Sequence, residues 1–99
     1  MSDYGAEANC YSPDYEKDPN ETIDYVFNWK AELYGDTIFT SQFLLPDGLT
    51  EVSSSNTTTT ATIFVSGGAE GQTYRITNRI VTIGGRTRDR TINVLVREL

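Results

Sequence analysis

Apolar and polar positions alternate along most of this chain. In residues 22–33, TIDYVFNWKAEL, the odd positions Ile23, Tyr25, Phe27, Trp29, Ala31 and Leu33 are apolar, with Asp24, Asn28, Lys30 and Glu32 between them. A period of two held over twelve residues predicts one long strand with a single buried face. YGD then turns the chain. TIFTSQFLL follows with mixed parity, which predicts a bulge, and PDG turns the chain again. LTEVSS reads as a short strand, and TTTTATIFV as a longer one with Ala61, Ile63 and Val65 on one face. The glycines of SGGAEGQ mark a loop that needs positive backbone angles.

The last strands form a hairpin whose register follows from parity. Tyr74, Ile76 and Ile80 are even, as are Ile92, Val94 and Val96, and both sets should face the core. A two-residue loop would turn one of them outward. A three-residue loop, Gly84-Gly85-Arg86, restores the match by pairing Ile76 with Val94. In that register Arg88 and Arg90 lie opposite Thr82 and Ile80, beyond the end of the core, and Arg79 lies on the other face near Asp89.

About seven short antiparallel strands without a helical period, and a tyrosine opening a late strand after GQT, predict an all-β, immunoglobulin-like β-sandwich. Trp29 should fill its centre without a disulfide, since Cys10 is the only cysteine, and the Tyr74 hydroxyl should bond back to nearby backbone. The sandwich is expected over residues 22–99. Residues 1–21 have no apolar period and read as an acidic, extended N-terminal arm. Tyr4, Tyr11 and Tyr15 suit a segment that lies on a surface, because each buries a ring and keeps a polar tip.

Charge divides along the chain. The net charge is −6, yet the last 25 residues hold six arginines against Asp89 and Glu98, while residues 1–24 hold seven carboxylates against Lys17. An acidic beginning and a basic end attract each other within one molecule or between neighbours. The arginines Arg86, Arg88 and Arg90, with Tyr4, Tyr11 and Tyr15, are therefore the candidate partner-binding residues.

Chemistry is sparsely provided for. The chain has no histidine, which removes the usual general base and the commonest metal ligand. Asp14, Glu16 and Asp18 begin like a calcium loop but lack its glycine and distant glutamate, and GGAEG lacks the lysine of a phosphate loop. No enzyme activity, cofactor, metal or nucleic-acid partner is expected. With no run of about 18 apolar residues and no basic-then-apolar start, neither a membrane span nor a secretory signal is expected.

The stretches KDPNETIDYVFNWKAELYGDTI, PDGLTEVSSS, TTATIFVSGG and TYRITNRIVTIGGRTRDRTINVLVRE, in that order, resemble small immunoglobulin-like virion proteins of tailed bacteriophages, the fibre-to-tail adaptors. The resemblance covers residues 17–98. It implies a non-enzymatic virion component, present in multiple symmetric copies, that docks between other structural proteins of the tail, neck, fibre or capsid. Two alternatives stay open: a capsid decoration protein and a free glycan-binding module.

Overall fold

The computed structural model describes residues 13–99. The chain order is β1 (Tyr15–Lys17), β2 (Ile23–Asn28), α1 (Lys30–Leu33), β3 (Ile38–Leu44), β4 (Leu49–Asn56), β5 (Thr60–Gly67), β6 (Thr73–Thr82) and β7 (Thr87–Val96). The strands form two sheets, one in the order β1-β7-β6-β3 and one in the order β2-β5-β4. All pairings are antiparallel except that of β1 with β7, which is parallel, with Tyr15 opposite Val94 and Lys17 opposite Val96. Residues 15–17, which the sequence places in the arm, thus form an edge strand of the larger sheet.

The core is where the alternation places it. Tyr25, Phe27 and Trp29 meet Ala61, Ile63 and Val65 from one sheet and Ile76, Ile80, Val94 and Val96 from the other, all buried. The Tyr74 hydroxyl accepts a hydrogen bond from the Ala69 N–H at 2.8 Å, closing the corner expected of it. The bulge in β3 falls between Ile38 and Thr40, and it leaves Phe39 exposed. Gly67, Gly68 and Gly71 of the predicted loop all take positive φ.

Two expectations are corrected. The strand of residues 22–33 ends at Asn28, and Lys30–Leu33 is a single helical turn in which the Leu33 N–H bonds to the Trp29 carbonyl at 3.1 Å. Positions i and i+4 share a face in a strand and in a helix alike, so buried Trp29 and Leu33 fit both. Only Ala31 distinguishes them, and it is exposed as the helix requires.

The hairpin keeps the expected parity but turns earlier. Ile76 lies opposite Ile92 and Tyr74 opposite Val94. The Thr82 N–H bonds to the Arg86 carbonyl, enclosing Ile83, Gly84 and Gly85, with Gly85 at φ 88°. The cause lies outside the hairpin. The Ile83 N–H bonds to the Thr37 carbonyl and the Gly84 N–H to Asp36, so the segment before β3 sets the turn.

Candidate functional site

Register determines what the arginines can reach. With the turn one residue earlier and the pairing shifted by two, Arg88 lies opposite Ile80 and Arg90 opposite Asn78, deeper in the body than the sequence suggests. Arg90 is drawn over the core. Its guanidinium carbon stands 4.5 Å from the centroid of the Trp29 ring, one nitrogen donates to the Asn28 carbonyl at 2.8 Å, and it pairs with Glu32. Cation–π contact, a backbone acceptor and a carboxylate fix it as a lid on the tryptophan.

Arg86 is also engaged, through Asp36 at 2.9 Å. Asp36 is the hub of the hairpin tip. Its carboxylate accepts from the Thr37 N–H at 2.8 Å, the Gly84 N–H at 3.1 Å and Arg86. The Thr82 hydroxyl, these two N–H groups and the Arg86 guanidinium hold its pKa down to about 2, against the opposing effect of desolvation. Because the folded value lies below the unfolded one of about 3.9, this stabilisation is complete above about pH 4 and is lost as the pH falls toward 2. The difference in melting temperature between the wild type and Asp36→Asn is therefore expected to be widest near neutrality and to narrow across that acid range in pH-resolved melting curves.

A single cationic patch formed by Arg86, Arg88 and Arg90 is not what the fold builds. Two of the three are spent on the domain's own carboxylates, and Arg88 alone forms no ion pair among the described residues. Arg79 sits where expected, bonded to Asp89 through two nitrogens at 2.9 and 3.0 Å on the outer face. Tyr15 stacks on buried Tyr25 with ring centroids 4.9 Å apart and is half-exposed. Tyr4 and Tyr11 lie outside the described residues.

The three hairpin arginines flank a trough. One cleft of about 370 Å³ is bounded by residues 32–36 on one side and by Arg86 and Arg88 on the other. A second, more open hollow of about 680 Å³ lies between Asn28, Lys30, Ala31 and Glu32 on one side and Arg90 on the other. Glu32 borders both, so the two adjoin there and together make the trough between α1 and β7.

Tyr34 stands at the rim and was not singled out by sequence. It is 89% exposed and has φ 51°, the one non-glycine with positive φ among the described residues. A bulky residue in the left-handed region is uncommon, and a large ring left almost wholly in water contributes little to this fold. Ile83 and Phe39, each 64% exposed, add apolar surface in the same turn-and-bulge region. Tyr34 preceding Gly35 was legible only as a turn. Among the described residues no group of three histidine, cysteine or acidic side chains is placed to hold a metal, and no helix is long and apolar enough to cross a membrane.

The fold is that of an immunoglobulin-like β-sandwich. A solved structure described as the PKD domain from KIAA 1837 protein superposes with a TM-score of 0.53 at 19% identity, over 99% of this chain and 93% of that one. No curated protein matches the sequence. The family model described as podophage GP4 fiber-tail adaptor protein gp77 matches residues 17–95, and the chain belongs to that family of phage fibre-tail adaptors.

Proposed function

We propose that this protein is a non-enzymatic adaptor of the phage virion, seated between tail or neck and fibre, and that it grips a neighbouring structural protein through the trough between α1 and β7. The reading rests on family membership for the role and on one observation for the place: beside the trough, Tyr34 is held exposed in a left-handed conformation while no carboxylate among the described residues pairs with Arg88. Aromatic and arginine side chains are the usual anchors of protein interfaces, whereas the remaining contacts mainly exclude water.

A double replacement, Tyr34→Ser with Arg88→Ser, tests this without touching the core. Both side chains project from the body, so the variant should melt within a few degrees of the wild type, while its incorporation into particles falls about tenfold. Incorporation of the wild type should weaken with added salt, and that of the double variant should respond less, because the ionic contact is gone. Wild-type incorporation of the folded variant would remove the trough from the docking surface. Replacing all three hairpin arginines would be a poorer experiment, since Arg90 covers Trp29 and its loss perturbs the fold itself.

A further inference from the structure

Beside the trough, the edge of β7 makes a specific mode of attachment available. Along β7 the backbone groups point alternately to either side. The Val96 N–H bonds to the Gln72 carbonyl, so even-numbered groups face β6. The Arg97 N–H bonds to the Lys17 carbonyl, and the Asn93 carbonyl accepts from the Asp14 N–H, so odd-numbered groups face β1. But β1 covers only the last part of this edge, opposite Val94, Leu95 and Val96. The Asn93 N–H is capped by the Asp14 carboxylate at 2.8 Å, and the next residue back is Pro13, which has no N–H to carry a ladder onward. Thr87, Asp89 and Thr91 thus present their N–H and C=O groups to the open side, with no partner among the described residues.

We propose that this free edge, residues 87–91, takes an extended acidic segment of a neighbouring virion protein as an added strand, a mode that rests on the adaptor reading above. Three features of the molecule agree. An unpaired strand edge is a template for another chain, and main-chain bonding there supplies affinity independent of side chains. The same stretch of β7 sends Arg86, Arg88 and Arg90 to the hollows beside α1, so an occupant of the edge has these side chains within reach. Of the three arginines between residues 86 and 91, Arg86 and Arg90 already hold carboxylates, and Arg88 has no carboxylate partner among the described residues, so an acidic group on the occupant completes the pairing.

Thr91→Pro tests the mode directly. It deletes an N–H on the open side, leaves the even-numbered ladder to β6 intact, and places proline where edge strands accept it. Thr91→Val is its control, since it also loses the hydroxyl bond to Thr77 but keeps the N–H. Both variants should melt close to each other, and only the proline variant should lose incorporation into particles, by about tenfold. Thr87→Pro, at the start of the strand, gives the same test should Thr91→Pro fail to fold. A photo-crosslinking residue at position 89 should link, in purified particles, to an acidic stretch of a different virion protein.

Normal incorporation of both proline variants, or crosslinks running only to residues 1–12 of this chain or of another copy, would overturn the proposal. The two readings separate cleanly. If Tyr34→Ser with Arg88→Ser fails to assemble while Thr91→Pro assembles, the trough still docks a partner but not by strand addition. If neither variant is affected, docking through the trough falls as well.

Discussion

Asn78→Ala is expected to destabilise the domain by about 3 kcal/mol, measured as a shift in denaturant midpoint without a change in slope. Asn78 has no exposed surface and lies among the core-facing residues of β6. Its carbonyl oxygen accepts the Trp29 indole N–H at 2.8 Å, and its amide nitrogen donates to the Ser41 hydroxyl at 2.9 Å and to the Gln42 carbonyl at 3.1 Å. One side chain thus ties β6 to β3 in its own sheet and to Trp29, the residue just past β2 of the other. Removing it strands a buried indole N–H and leaves a void where the amide stood, two costs that add. The same change in a Trp29→Phe background should cost about 1 kcal/mol less, because the orphaned donor no longer exists. Equal costs in the two backgrounds would mean that the indole finds another acceptor.

Lys17→Ala is expected to cost about as much, roughly 3–4 kcal/mol, for a different reason. Lys17 is fully buried, and its ammonium donates to the Asp18 carbonyl at 2.9 Å and the Gly67 carbonyl at 2.8 Å. Burial pulls its pKa below the ordinary lysine value, while Glu21 and Asp18 pull the other way. The bond to Gly67 reaches from the edge of one sheet to the end of β5 in the other, and it anchors a strand only three residues long. Lys17→Met fills most of the volume but donates nothing, so it should recover part of the loss and leave the Gly67 carbonyl without its ammonium donor, while the Asp18 carbonyl keeps the Glu21 N–H. In both variants the Arg97 N–H, which bonds to the Lys17 carbonyl, should exchange with solvent faster than the N–H groups of β5. If Lys17→Met matches the wild type in stability and exchange, the ammonium is not what holds β1 in place.

These two residues mark the limit of what alternation reveals. The period of two located the core-facing positions of β2, β5, β6 and β7, because burying one face of a strand leaves a direct imprint on residue type. It also gave the sense of the hairpin, since a one-residue slip would have turned a whole apolar set outward. What it could not give was anything fixed by a long-range polar contact. Asn78 reads as a polar interruption in TYRITNRIV, and its role depends on Trp29, 49 residues away in sequence. Lys17 reads as the lone cation in an acidic arm, and its partner Gly67 is 50 residues distant. The hairpin turn went astray for the same reason: Asp36 and Thr37 hold Ile83 and Gly84, and nothing within GGR announces it.

The candidate site divides along the same line. Arg86, Arg88 and Arg90 were found because charge stands out in an acidic chain, and the fold brings all three to one trough. Their separate employment was hidden, since it depends on Asp36 and Glu32, which approach only when α1 meets β7. Tyr34 was missed because a tyrosine before a glycine is an ordinary turn until its positive φ and near-complete exposure are seen together. The free edge of β7 was beyond reach, since an unpaired edge is a property of sheet order, and sheet order rests on β1 pairing where an arm was expected.

The measurement that bears most directly on the central claim is an imaged virion at a resolution that traces strands. This sandwich is expected at the junction of tail and fibre, with the trough between α1 and β7 covered by another structural protein and Tyr34 and Arg88 inside the contact. A particle in which the sandwich lies elsewhere, or in which that trough faces solvent while another surface makes the joint, would contradict it.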